Sequence, residues 1–327
     1  INMEEEKYSN DGKIHNSQRL KELQALPLDR KIQITQTRII EWYNHYEGQV
    51  SISFSGGKDS TVLLDLARRI YPDIEAVFVD TGLEYPEIRD FVKTKENITW
   101  LRPSMKFNDV VEEYGWNFPS KEVALLVWYA NNSKNKKQNY LNYLNGNNAD
   151  GTENQFKQRF KKYAYLVNAP CKISNKCCGI MKEKPLDKYR KKKKKKAIVG
   201  TMASESTRRK QAWMKVGCNA FDKSNPTSQP ISFWTEQDVL SYIKEFEIPY
   251  AAIYGDIITD NKGDYITTGE KRTGCMFCPV GINLEKTPNK FQRMKITHPK
   301  QYNYCINKLN LKELLDFINV PYGKEDS

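Results

Sequence analysis

Residues 50–60 read VSISFSGGKDS and run on into TVLLDLARR. Val50, Ile52 and Phe54 alternate with Ser51 and Ser53, the period of a short strand. Ser55, Gly56 and Gly57 follow as a turn that tolerates positive φ and close backbone approach. From Ser60 onward, Val62, Leu63, Leu66 and Ile70 share one apolar face, so the spacing predicts a helix. Strand, glycine turn and helix start together offer backbone N–H groups and a positive dipole end to an anion. A Walker A loop is excluded, because it needs four residues between its first glycine and Gly-Lys-Ser/Thr.

The surrounding chain repeats the same alternation. Leu20–Leu26 and Lys31–Tyr46 read as helices parted by Pro27, and residues before Asn16 read as disordered. Residues 74–79 form a near-continuous apolar run ending in Asp80-Thr81-Gly82. A helix over 87–93, a strand over 98–101 and a helix over 107–114 follow, and strand character returns at 197–200. Strands alternating with helices predict an α/β fold with a doubly wound, mostly parallel sheet. Ligands of such sheets bind beyond the carboxyl ends of the strands, where SGGKDS and VDTGLEYPE both fall. Thr235 and Asp238 form a capping-box pattern before VLSYIKEF. The expected segments are an N-terminal helical part (1–47), a nucleotide-binding core (48–130) and an Asn/Lys-rich insertion or mobile connection (131–168). The rest of the core (169–245) and a C-terminal region closing a cysteine cluster (246–327) complete the chain.

The chain of 327 residues, 39% of them hydrophobic and 12% aromatic, suffices for one large α/β domain or a domain with an appendage. No apolar run approaches 18 residues and no signal-peptide pattern is present, so a cytoplasmic protein without a membrane span is expected. The formal charge is +12, and Arg190–Lys196 is seven consecutive basic residues. That run reads either as a solvated mobile loop or as a patch for nucleic acid or another polyanion. Three histidines (His15, His45, His298) argue against a histidine-centred device. Of seven cysteines, Cys177-Cys178 is an adjacent pair and Cys275-x-x-Cys278 a turn that aims two sulfurs at one centre. Four thiolates suit an iron–sulfur cluster or structural zinc, and a redox dithiol is a third reading. Cys171, Cys218 and Cys305 read as buried or incidental.

SGGKDS resembles the pyrophosphate-binding loop of the adenine-nucleotide α-hydrolase superfamily. CCGIMKEKPL (177–186) resembles the CC-x-x-x-K-x-x-PL segment of iron–sulfur sulfonucleotide reductases. With VDTGLEYPE and GTMASESTRR, in consistent order over about residues 31–320, the chain resembles the phosphoadenosine-phosphosulfate (PAPS) reductase family, including its phage-borne branches. It is also similar to the ATP pyrophosphatase of DNA phosphorothioation systems. The resemblance implies a [4Fe-4S] cluster on Cys177, Cys178, Cys275 and Cys278, with zinc as the lesser option. It implies that Ser55, Gly56, Gly57, Lys58 and Ser60 hold phosphate or sulfate oxygens, with Asp59 a loop or helix-cap residue of the same site. Asp80 and Thr81 would sit near adenosine and Glu84 at the mouth. Glu205, Ser206, Arg208 and Arg209 would form a second anion-binding segment, and Lys182 a charge near cluster and substrate. Lys58, Lys182 and Arg208 are the implied catalytic residues.

Two features depart from that family. The sequence ends FINVPYGKEDS, without the Glu-Cys-Gly of a reductase tail, and position 202 is methionine where many reductases have arginine. The leading expectation is therefore ATP, with Mg²⁺, activating an acceptor with release of pyrophosphate. Sulfur then enters from a donor, with nucleic acid one possible acceptor. The alternatives are a PAPS or adenosine-phosphosulfate (APS) reductase that takes a thiol from elsewhere, such as a thioredoxin-like partner, and a nucleotide sensor with a structural cluster.

Overall fold

The computed structural model describes residues 15–323. The disorder expected before Asn16 concerns residues that, His15 excepted, lie outside that range. Two compact units divide the chain. The first comprises the described residues up to Asp80 with Glu84–Arg102 and Leu186–Gly274. The second comprises Thr81–Leu83, Pro103–Pro185 and the described residues from Cys275 on.

The first unit contains a six-stranded sheet of β1 (Val50–Ser53), β2 (Ala76–Val79), β3 (Ile98–Leu101), β4 (Lys196–Val199), β5 (Asn219–Ala220) and β6 (Thr227–Ser228). Their order is β3-β2-β1-β4-β6-β5, and only β5 runs antiparallel to its neighbour. Residues 50–52 and all of β2 are buried, as parallel strands covered on both faces require. The chain leaves β1 for β2 on one side, while β4 lies against the other, in register Val50↔Lys196 to Ser53↔Val199. The winding direction therefore reverses between β1 and β4, and a crevice forms at such a reversal.

Helices Leu28–His45, Lys58–Arg68 and Glu236–Glu245 pack on one another around fully buried Trp42, Trp234 and Tyr242. Lys31, 2% exposed, pins two of them. Its Nζ donates to both Asp238 oxygens at 2.7 Å and to the Gln24 carbonyl at 2.7 Å. Asp238 also accepts from the Thr235 N–H, closing the expected capping box. A separate hairpin pairs β7 (Ile257–Thr259) with β8 (Tyr265–Thr267).

The basic run is not a loop. Its first four residues end the helix Lys184–Lys193, and Lys196 opens β4. Cations complement the negative end of a helix dipole there. Arg190 donates to Ser53 Oγ at 2.7 Å and Lys195 to Glu75 at 2.6 Å, so only Lys191–Lys194 stand exposed.

The second unit is helical, with Phe107–Tyr114, Lys121–Asn132, Lys137–Leu144 and, toward its end, Lys290–Thr297 and Leu311–Phe317. The stretch 131–168 differs from an irregular connection. Among its Asn and Lys residues, Leu144, Phe160 and Leu166 are buried, and the helix Lys137–Leu144 packs on Lys121–Asn132. No described helix is long and apolar enough to cross a membrane.

Candidate functional site

In the first unit, the loop after β1 carries the glycine motif. Gly56 has φ +73°, and a Cβ there would lie 2.8 Å from Ile88 Cγ2 and Val92 Cγ2, so side chains are excluded by both conformation and space. Gly57 is extended and precedes the helix Lys58–Arg68 as its N-cap. Ser55 and Ser60 hydroxyls lie 3.0 Å apart, Ser60 Oγ donates to Gly57 O at 2.9 Å, and Gly57 N–H donates to Ser55 Oγ at 3.3 Å. The two serines thus stitch the turn together.

Asp59 corrects the sequence reading. It lies inside the first helical turn rather than at the cap, because Gly57 fills the cap position. Its Oδ1 is buried with no hydrogen-bond partner among the described residues. Burial pushes its carboxyl up from the usual range and Glu236 adds to this, while Lys58, Arg272 and Arg209 pull it down.

Lys58 is 5% exposed. Its Nζ meets Glu236 at 3.0 Å and donates to the Lys271 carbonyl at 2.8 Å. Its backbone N–H donates to Tyr254 Oη at 3.2 Å, and that hydroxyl lies 2.5 Å from Thr273 Oγ1. Burial raises the Tyr254 pKa to about 12, so the phenol stays protonated. Across the crevice, Gly200 at the end of β4 faces the Asp59 carbonyl, and a Cβ on it would come within 3.3 Å. Lys58, Asp59, Met202, Ser204, Glu205, Glu236 and Arg272 line one pocket at this reversal point of the sheet.

Most of the other expected nucleotide residues have protein partners of their own. Glu205 accepts from Met202 N–H at 2.8 Å and pairs with Arg209, and Arg272 stands 3.9 Å away. Ser206 caps the helix Thr207–Val216 through the Arg209 N–H, and Arg208 is exposed. Asp80, 6% exposed, pairs with Arg89 at 2.9 Å, with Arg102 at 3.9 Å. Glu84 is buried in the same unit. Thr81 belongs to the second unit, where its Oγ1 accepts from Leu83 N–H at 3.1 Å. None of Asp80, Thr81, Glu84, Ser206, Arg208 or Arg209 lines the pocket.

In the second unit, all four expected cysteines border one recess, together with Leu83, Phe107, Trp116, Asn117 and Phe277. Two close backbone approaches build it. Trp116 N–H donates to Lys172 O and Ser174 N–H to Trp116 O, both at 2.9 Å, bringing residues 115–117 against 172–174 just before the helical turn Lys176–Cys178. Gly115 permits this, with φ +74° and a hypothetical Cβ only 1.8 Å from Lys172 O. On the other side, Met276 N–H donates to Leu83 O at 2.8 Å, and Cys278 N–H to Cys275 O at 3.2 Å. After the pair the helix widens into a π-turn, Gly179–Glu183, which carries Lys182.

Burial pushes the Cys177 thiol up, and Cys275, Cys178 and Cys278 add to this while Lys182 opposes it. Burial likewise raises Cys178, against Lys121 and Lys182. The wall of the recess holds four sulfurs but no carboxylate or imidazole, a donor set suited to soft, thiophilic metal centres. No three described His, Cys, Asp or Glu side chains are gathered closely enough to hold a metal ion. Cys305 is fully buried in the π-turn Tyr304–Lys308, and burial raises its pKa strongly.

Sequence reasoning missed Glu236 and Arg272 in the pocket after β1, Tyr254 and Thr273 beside the Lys58 N–H, and Asn117 at the cysteine recess. Only Arg272-Thr273 carried a signal, being adjacent to the Cys275 turn.

The phosphoadenosine phosphosulfate reductase domain model matches residues 49–151 and 129–280. An uncharacterized protein of Methanocaldococcus jannaschii is 28% identical over 262 residues, covering 80% of this chain and 47% of that protein; the chain thus spans about half of it. The adenosine 5'-phosphosulfate reductase of Staphylococcus haemolyticus is 28% identical over 225 residues, 66% of this chain and 70% of the reductase. Among solved structures, the PAPS reductase of Candida auris aligns at a TM-score of 0.40 and 12% identity, over 76% of this chain and 97% of that one. The U34-tRNA thiolase of Methanococcus maripaludis, solved with its [4Fe-4S] cluster, aligns at 0.35 and 13%, over 91% and 84%. With glycine loop, parallel sheet and family match spanning most of its length, the chain belongs to the phosphoadenosine phosphosulfate reductase family.

Proposed function

We propose that the first unit binds Mg²⁺–ATP and cleaves it between the α- and β-phosphates to activate an acceptor. The carrying observation is Asp59. A buried carboxylate oxygen with no partner, in a pocket with Glu205 and Glu236, repels a bare polyphosphate. It fits a polyphosphate that arrives with a divalent cation, which one or two carboxylates and phosphate oxygens commonly hold. Bound Mg²⁺ would supply charge neutralisation for the leaving pyrophosphate. Lys58 and Arg272 balance the remaining charge, and the helix N-terminus offers its N–H groups to the phosphates. An acceptor oxygen attacks the α-phosphorus, takes the adenylyl group and releases pyrophosphate.

The same reading assigns Cys177, Cys178, Cys275 and Cys278 to a [4Fe-4S] cluster, supported by the all-sulfur donor set of the recess. Such a cluster supplies a site for holding sulfur or an electron. The outer sulfur of a donor persulfide would then displace AMP from the activated acceptor, leaving a disulfide to the donor that a second thiol reduces to release the thiolated product. The exposed Lys191–Lys194 favour a polyanionic acceptor such as nucleic acid.

A second reading, reduction of a sulfonucleotide with a partner thiol, is favoured by the named activity of the staphylococcal relative. ATP binding measured with and without Mg²⁺ tests the first. Wild type should bind at least about tenfold more tightly with Mg²⁺, and Asp59→Asn should lose that difference. Equal affinity with and without Mg²⁺ in wild type would remove the argument from Asp59.

A further inference from the structure

Asn117 is 4% exposed, and neither its Nδ2 nor its Oδ1 has a hydrogen-bond partner among the described residues. A buried carboxamide with both ends unpaired is rare, because desolvating it without compensation is costly. The residue is held firmly, since Trp116 before it bridges Lys172 and Ser174 through two backbone hydrogen bonds. It borders the recess of the four cysteines, where it is the only carboxamide among the described residues. Its neighbours in that wall include Leu83, Phe107 and Phe277, which offer no side-chain acceptor.

From this we infer that Asn117 is a positioning residue for the group held by the cysteines, its amide N–H donating to a sulfur of that group. The inference rests on the reading that this group is a [4Fe-4S] cluster. Thiolate and sulfide sulfurs are electron-rich acceptors, so the NH₂ end, rather than the carbonyl, faces them. A donor at a cluster sulfur stabilises the reduced, more negative state and raises the reduction potential. Asn117 thus sets the ease with which the cluster accepts an electron. It takes no part in bond making.

The experiment compares anaerobically reconstituted wild type, Asn117→Leu, Asn117→Asp and Asn117→Gln by iron content and by potentiometric titration. Leucine keeps the volume and removes the donor. At a fixed potential the ratio of reduced to oxidised cluster should fall about tenfold, a midpoint about 59 mV more negative. Aspartate should shift it further in the same direction, and glutamine should restore part of the loss. A packing role alone leaves the potential of Asn117→Leu unchanged. Pulsed EPR of reduced wild type carrying side-chain ¹⁵N-asparagine reads the contact without any substitution and should show a coupled nitrogen. A full cluster with an unshifted potential and no nitrogen coupling overturns the assignment while leaving the cluster in place. Wild type that binds no iron overturns the cluster reading itself.

Discussion

Gly115→Ala is the most informative single change to the second unit. Gly115 lies at φ +74° and ψ −158°, a region that only glycine occupies readily, at a cost of about 1–3 kcal/mol for other residues. The added Cβ would also stand 1.8 Å from Lys172 O and 2.2 Å from Lys172 C, both backbone atoms that cannot rotate away. Residues 115–117 must then part from 172–174, loosening the two 2.9 Å hydrogen bonds of Trp116 and Ser174. Each is worth about 1 kcal/mol net. The total is about 3–5 kcal/mol, a large share of a typical domain's stability. Urea unfolding followed by tryptophan fluorescence should show it as a lower midpoint with unchanged slope. Because the same approach places Cys177 and Cys178, iron incorporation should fall in parallel. A loss below about 1 kcal/mol with full iron content would refute the claim that Gly115 holds the recess together.

Two further predictions concern the first unit. Tyr254→Phe removes the hydroxyl that occupies the Lys58 N–H, so inorganic pyrophosphate should bind about fivefold more tightly by calorimetry; weaker binding would make the hydroxyl a ligand instead. Burial opposes ionisation of Glu75, but hydrogen bonds from Lys195, Thr99 and Tyr189 outweigh it and hold its pKa below the usual glutamate value. A depressed folded pKa contributes stability above the unfolded value, about 4.3, that is lost as pH falls through the folded one. Acid titration of the urea midpoint should therefore be shallower in Glu75→Gln, and an unchanged slope would deny Glu75 that role.

The loop and the sheet were legible in the chain because both are local. Strand, glycine turn and helix occupy one continuous stretch, and apolar runs at 76–79 and 98–101 need no distant partner to be read. The pocket at the end of β1 was only half legible. Lys58 and Asp59 lie in the motif, but Glu236, Tyr254 and Arg272 reach them by tertiary packing from about 200 residues away. The sequence places Asp59 in the loop or at the helix cap, because Asp commonly caps helices. Here a glycine takes the cap and the carboxylate is left unpaired. The basic run illustrates the converse. Seven charges in a row suggest a solvated loop, yet Arg190 and Lys195 have buried or part-buried partners, and the helix and strand that flank them carry the run. Asn117 gave no signal in sequence, since an unpaired amide is defined only by what surrounds it.

Cleavage of ATP between its α- and β-phosphates can be read straight from the products. Anaerobically prepared protein is given ATP, APS and PAPS in parallel, with Mg²⁺, a thiol reductant and nucleic acid, and products are identified by mass spectrometry. AMP, free or transferred, and pyrophosphate should form from ATP, and both should be lost in Lys58→Ala. Sulfite from either sulfonucleotide, with ATP left intact, would contradict that cleavage.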